Sequence, residues 1–177
     1  MSRTAALRLI CVALLMLAPA WAERRHDPLN EQEVDQLREA TLEPDKRLKL
    51  FLTFARARLV SLEQARSDPK TTDRGEITHE WLEDFLDIYD ELNDNIDTYS
   101  GRKEDLRKTL AVVIEADTEF QAKLRALKDA ANVPKDEAKQ YEFILTTALE
   151  TVDSSIEDHR QLLKEQEEAA KEKKKKK

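Results

Sequence analysis

Residues 106–131, LRKTLAVVIEADTEFQAKLRALKDAA, carry the most regular apolar pattern in the chain. Apolar side chains recur there at spacings of four and three residues: Leu106, Leu110, Val113, Phe120, Leu124, Leu127 and Ala131. This spacing keeps one side of an α-helix apolar, because a helix completes a turn every 3.6 residues. We therefore predict a long amphipathic helix from about Arg102 to Ala131.

Three further segments have an apolar face of the same kind. Their expected bounds are about 44–67, 76–99 and 134–163, and short turns that contain proline or glycine separate them. None of the chain alternates apolar and polar residues for long enough to indicate a strand. Four long amphipathic helices joined by short turns predict an all-α fold, an up-down-up-down four-helix bundle.

A short extra helix is predicted before the bundle. Asn30 and Glu33 have the spacing of a capping box, and the helix should end at Glu43, before Pro44. The next helix has a second apolar stripe, made of Leu50, Phe54 and Ala57. We expect the short helix to cover this stripe with its own apolar residues, Val34 and Leu37. The alternative is that the stripe forms the interface of a homodimer.

The first 22 residues have the layout of a secretory signal peptide. Arg3 and Arg8 accompany an apolar run over 9–17, and Ala20 and Ala22 supply the small residues that signal peptidase reads. We predict cleavage after Ala22 and a mature protein in the periplasm or the extracellular space. The apolar run is shorter than the roughly 20 residues that span a bilayer, so no transmembrane segment is expected after cleavage.

Loss of the signal peptide would remove every sulfur-containing side chain, because Met1, Cys11 and Met16 all lie within it. The mature chain would then have no disulfide and no thiolate or thioether ligand for a metal. Its layout is similar to that of the exported four-helix cytochromes. However, it contains neither their C-x-x-C-H haem attachment motif nor a methionine ligand, and we expect no cofactor.

Charge is distributed unevenly along the chain. Residues 23–170 carry a formal charge of −14, whereas the last seven residues, 171–177, carry +5. An acidic body argues against nucleic-acid binding, which requires a basic surface. We expect 23–163 to form the bundle and 164–177 to extend beyond it, so that the last helix is a long C-terminal helix that overhangs the bundle and has a mobile end. The lysine-rich tail is then either a solubilising helix end or an attachment to an anionic surface.

Asp117 interrupts the apolar face of its own helix, where an isolated carboxylate would be costly to bury. Counting residues through tight antiparallel turns places it level with Asp84 and then with Arg58. We predict that Arg58 pairs with Asp117 and that the pair fixes helix register, rather than binding a ligand. The same count places His159 near the end of the bundle and out of reach of Asp117.

Motifs that carry catalytic or metal chemistry are sparse. Glu76 and His79 have the Glu-x-x-His spacing of di-metal bundle sites, but the second such pair is missing. The chain has no Gly-rich phosphate loop and no G-x-S-x-G motif, so we expect no enzyme.

The leading functional interpretation is therefore an exported, non-catalytic helical-bundle protein of the cell envelope. It would act as a binding or scaffold module, with an envelope protein or an anionic surface as partner. The alternative is a small-ligand or metal-binding bundle that uses the core carboxylate of Asp117.

Overall fold

A computed structural model describes residues 27–130 and 133–175, and these two ranges contain five α-helices and no strand. We number the helices in chain order: α1, Glu31–Glu39; α2, Pro44–Ser67; α3, Arg74–Gly101; α4, Arg107–Lys128; and α5, Lys135–Lys175. The predicted all-α fold is confirmed. None of these five helices combines the length and the apolar character needed to cross a bilayer. The signal peptide predicted for residues 1–22 lies outside the two ranges.

α1 begins with the capping box that the sequence predicts. The Asn30 side chain accepts a hydrogen bond from the Glu33 backbone N–H at 3.0 Å, and the Glu33 carboxylate accepts one from the Asn30 N–H at 3.0 Å. The helix ends at Glu39, earlier than the expected end at Glu43. Pro44 then occupies the first turn of α2, where its missing N–H has no helical partner to lose.

The four long helices occupy the corners of a bundle, although not in the order of the chain. α2 and α5 each pack beside both α3 and α4. α3 and α4 follow each other in sequence but lie at diagonally opposite corners, so their connection, 102–106, crosses the end of the bundle. α2 and α4 are consequently parallel neighbours, and ion pairs from Arg56 to Glu119 and from Glu63 to Lys123 show their register.

α5 is displaced along α4 relative to the position that a tight turn would give. A turn at residues 132–133 would place Gln121 level with residue 144. Instead, Gln121 and Arg125 of α4 contact Asp153. This difference of nine residues corresponds to about 14 Å along the helix axis. The first turns of α5 therefore extend beyond the end of α4.

α1 lies on α2 and covers part of its second apolar stripe. Leu37 and Phe54 are both 5% exposed and join the hydrophobic core. Arg47 of α2 donates a hydrogen bond to the Leu37 carbonyl at 2.6 Å, which ties down the end of α1. Leu50 is half-buried and Ala57 is exposed, so the cover is incomplete. A homodimer interface at this stripe stays a prediction.

The far end of α5 is attached to the bundle through Gln166. Its side-chain amide accepts a hydrogen bond from the Leu106 N–H at 2.9 Å and donates one to the Glu104 carbonyl at 3.1 Å. This attachment lies about one turn beyond Leu163, where the apolar face was expected to end. From residue 167 to Lys175 the helix is exposed apart from a half-buried alanine.

Candidate functional site in the bundle core

Asp117 lies in the middle of α4 with its side chain fully buried. Its Oδ1 accepts a hydrogen bond from the Tyr89 hydroxyl of α3 at 2.8 Å. Its Oδ2 lies 2.8 Å from Nδ1 of His159 in α5. Tyr89 and His159 are 0% and 4% exposed. One carboxylate therefore connects three helices of the bundle.

The donors in this arrangement follow from the chemistry of a carboxylate. An ionised Asp117 can only accept hydrogen bonds, so Tyr89 must supply its phenolic proton and His159 must carry a proton on Nδ1. Within residues 27–130 and 133–175, Nε2 of His159 has no hydrogen-bond partner. The carboxylate thereby fixes both the orientation and the tautomer of the imidazole.

Two more polar side chains extend the network. Ser155 of α5 lies close enough to the Tyr89 hydroxyl to lower its pKa, against the raising effect of burial, and Asn93 Nδ2 donates to Ser155 Oγ at 3.1 Å. The other end of the Asn93 amide, Oδ1, is buried and has no hydrogen-bond partner among the residues that the structure describes. Two hydrogen-bonded groups thus lie side by side in the core, Asn93 with Ser155 and Tyr89 with Asp117 and His159, and we call these five residues the core polar network.

The surroundings of the Tyr89 ring are apolar. Phe85 stacks on it with the ring centroids 5.6 Å apart, and Phe120 meets it edge-on at 6.1 Å. Burial raises the pKa of the Tyr89 hydroxyl, and the charge of Asp117 and its hydrogen bond raise that pKa further. The phenol therefore remains a donor far above neutral pH. In such a medium an unpaired polar atom is expensive, so the network favours one helix register.

Arg58 does not pair with Asp117, so that prediction is wrong. Its guanidinium donates from Nη1 and Nη2 to the two Glu33 carboxylate oxygens at 2.9 and 2.5 Å. Nε and Nη2 also donate to the Pro28 carbonyl at 3.2 and 2.6 Å. Asp84 lies 3.8 Å from Nε. Arg58, Glu33 and Pro28 hold α1 on the bundle, and we call them the α1 clasp.

The α1 clasp changes the pKa of the Glu33 carboxylate. Burial raises the pKa of Glu33, but hydrogen bonds from Arg58 and from the Asn30 backbone, together with the Arg58 charge, outweigh burial. The net result is a lowered pKa. Glu33 therefore serves two purposes, as the reciprocal partner in the capping box and as the anion of a buried pair.

His159 was expected to lie out of reach of Asp117, and this prediction is also wrong. A tight turn would have placed residue 148 opposite Asp117, whereas the displacement of α5 brings His159 there. Tyr89 reaches the same carboxylate across the core because α3 is diagonal to α4. Sequence reasoning missed Tyr89, Asn93 and Ser155. The sequence pattern that could have indicated them is a spacing of four residues, which places two side chains on the same face of a helix. Tyr89 and Asn93 have this spacing on the buried face of α3, and Ser155 and His159 have it on the buried face of α5.

Glu76 and His79 lie apart from the core polar network. Glu76 is exposed and His79 is half-buried at the start of α3. In the part of the chain that the structure describes, no group of three or more His, Cys, Asp or Glu side chains is placed to hold a metal ion. Along the acidic outer face of α3, burial and neighbouring carboxylates raise the pKa of Asp90.

The fold and the core polar network define the class of protein. It is an all-α bundle whose diagonal helices α3 and α4 are joined to α5 by one buried carboxylate. No family model, no curated protein and no solved structure matches this chain.

Proposed function

We propose that this chain is an exported, non-catalytic helical-bundle protein of the cell envelope that acts as a binding or scaffold module. The observation that carries the proposal is the exposed end of α5, where 171–175 holds four lysines beyond the attachment at Gln166. The body that precedes it, 23–170, has a formal charge of −14. An anionic surface therefore attracts the lysine-rich end of the molecule and repels its acidic body.

The geometry of α5 defines how such an attachment would be oriented. Nine residues separate Gln166 from Lys175, which corresponds to about 14 Å of helix. Each lysine near an anionic bilayer contributes about 1 kcal/mol at moderate salt. The acidic body is repelled by the same surface. The bundle would therefore stand end-on, with the connection between α4 and α5 farthest from the surface.

The alternative, a ligand or metal site on Asp117, receives less support. Both carboxylate oxygens are already hydrogen-bonded, and the side chain is fully buried. A ligand would have to displace Tyr89 or His159 and leave one of them unpaired in the core. The core polar network is better suited to holding α3, α4 and α5 in register.

Deletion of residues 172–177 should abolish binding to anionic vesicles without unfolding the bundle. We expect at least about a 100-fold loss of partitioning, because five lysines leave the tail. The melting temperature should change little, since 171–175 is exposed. Sedimentation with phosphatidylglycerol vesicles at low and high salt measures the first quantity, and circular dichroism measures the second.

A charge-preserving variant serves as the control for this deletion. Changing the same lysines to arginine keeps the cations and should retain vesicle binding. If the deleted protein binds as tightly as the full mature chain, the tail is not the attachment. If the mature chain binds membranes that contain envelope proteins but does not bind pure lipid vesicles, an envelope protein is the partner instead.

Export itself gives a separate prediction. The mature protein should begin at Glu23, because Ala20 and Ala22 satisfy signal peptidase. Intact-mass spectrometry of the protein from cell fractions should find this form in the periplasm or the medium. A soluble cytosolic protein that still begins at Met1 would contradict it.

A further inference from the structure

Two apolar grooves lie at the end of the bundle opposite the lysine-rich tail, where α4 stops. One groove, of about 250 Å³, runs between α2 and α4. The other, of about 570 Å³, runs between α4 and α5. Leu127 and Ala130 line both grooves, which are otherwise walled mainly by Leu59, Leu62, Leu124, Val133, Tyr141 and Leu145.

The grooves exist because α5 is displaced along α4. Beyond Lys128, none of the five helices of the described residues fills the fourth corner of the bundle beside the first turns of α5. There α2 reaches α5 directly, through an ion pair of 3.0 Å from Arg66 to Glu137 and the stacking of Arg66 on Tyr141. Ala130 lies outside the helices. A segment of non-helical backbone is narrower than a helix, whose diameter with side chains is roughly 10 Å. Space therefore remains on both sides of it.

The lining of the two grooves is more basic than the body of the chain, while Asp129, Asp136 and Glu137 also lie at this end. Basic lining residues outnumber acidic ones: Arg66, Lys123, Lys128, Lys135 and Lys139 against Glu63 and Glu142. Lys128 and Lys135 are exposed, and neither has an ion-pair partner in the described ranges. Two exposed lysines without an ion-pair partner among the described residues therefore line the larger groove.

We propose that these grooves bind an anionic amphiphile, a single long alkyl chain with a carboxylate or phosphate head. The alkyl chain lies against Leu127, Tyr141 and Leu145, and the head group contacts Lys128 and Lys135. The larger groove has a size typical of ligand sites, which span roughly 300–1,000 Å³.

Titration calorimetry of the mature protein tests the ligand class. Dodecanoate and dodecyl phosphate, both below their micellar concentrations, should bind. Butyrate should bind at least about 100-fold more weakly, because it lacks eight methylene groups. Dodecyltrimethylammonium has the same chain and the opposite charge, and it should bind at least about tenfold more weakly. Equal binding of the cationic and anionic amphiphiles would overturn the proposal, and binding of only one anion identifies the head group.

Three variants test the location. Ala130→Trp fills both channels and should weaken dodecanoate binding at least about tenfold. Reversal of two charges in the Lys128→Glu, Lys135→Glu double variant should have an effect of similar size. Lys164→Glu, a charge reversal at an exposed position on α5, is the matched control and should bind within about twofold of the wild type.

The outcome is separable from that of the tail experiment. Deletion of 172–177 should leave dodecanoate affinity unchanged, because the tail and the grooves lie at opposite ends of α5. Affinity that survives Ala130→Trp in a protein with a normal melting curve would show that the grooves are not the site. Loss of affinity on tail deletion would place the amphiphile on the lysines instead.

Discussion

Replacing Asp117 with alanine will lower the free energy of unfolding by about 3 to 5 kcal/mol at neutral pH. The substitution removes both hydrogen bonds of the carboxylate and leaves the Tyr89 hydroxyl and Nδ1 of His159 buried without their partner. It also creates a small cavity between α3, α4 and α5. Urea denaturation of the mature protein, followed by far-ultraviolet circular dichroism, measures the loss.

Two other substitutions calibrate this result. Asp117→Asn keeps an acceptor for Tyr89, and its amide can donate to His159 once the ring proton moves to Nε2, so we expect a loss of about 1 to 2 kcal/mol. Thr118→Ala changes an exposed neighbour on the same helix and should stay within about 0.5 kcal/mol of the wild type. An Asp117→Ala protein as stable as the Thr118→Ala protein would show that the core polar network does not hold the bundle.

Local sequence patterns were sufficient to predict the helices. The apolar spacings of four and three placed α2 to α5 within a few residues of their observed bounds, apart from the start of α4, which is five residues later than expected. The expected overhang of the last helix past residue 163 is also present, since α5 continues to Lys175. The capping box at Asn30 and Glu33 was also predicted and is present. These features depend on residues within one or two turns of each other, which is the range over which periodicity and capping act.

The arrangement of the helices could not be obtained in the same way. An apolar face shows which side of a helix is buried but not which neighbour it meets. The diagonal placement of α3 and α4 and the displacement of α5 both depend on how the whole core packs. The partners of Asp117 depend on that packing, so counting residues along the chain selected Arg58 instead of Tyr89 and His159.

The α1 clasp was missed for a different reason. Local spacing explains Glu33 fully as the partner of Asn30 in the capping box, but a carboxylate with two oxygens can do more than cap a helix. Its Oε2 accepts from both the Asn30 N–H and Arg58 Nη2. Arg58 follows Phe54 by one helical turn, so both residues lie on the side of α2 that α1 covers. This spacing indicates that α1 meets a cation there as well as an apolar side chain.

Replacing Arg58 with alanine should release α1 while the four-helix bundle stays folded. The substitution leaves the buried Glu33 carboxylate without its cation, a loss worth about 3 kcal/mol or more in a partly buried pair. α1 buries little apolar surface of its own, because Glu33 and Leu37 are its only buried residues. We therefore expect hydrogen exchange of α1 amides to accelerate by about 100-fold, with little change in α4. Exchange followed by mass spectrometry measures both helices in one experiment.

The pH dependence of α1 provides an independent measure of the same contact. The fold lowers the pKa of Glu33, so the clasp contributes fully above the unfolded value near 4.5 and weakens as the pH falls through the folded value. In the wild type, α1 should therefore open selectively in acid, after correction for intrinsic exchange rates. Glu33→Gln should remove this dependence, because its amide has no proton to gain in that range.

Two further variants separate the clasp from general surface charge. Arg38→Ala removes an exposed pair with Asp35 in the same helix and should change α1 exchange by less than about fivefold. Arg58→Met combined with Glu33→Gln removes both charges of the bidentate pair, so it should protect α1 better than Arg58→Ala alone. If Arg38→Ala and Arg58→Ala accelerated exchange equally, the bidentate contact would not be what holds α1. Apart from the clasp, α1 is held by the Leu37 side chain and by the Arg47 hydrogen bond to the Leu37 carbonyl, so its attachment depends on polar contacts more than on apolar burial.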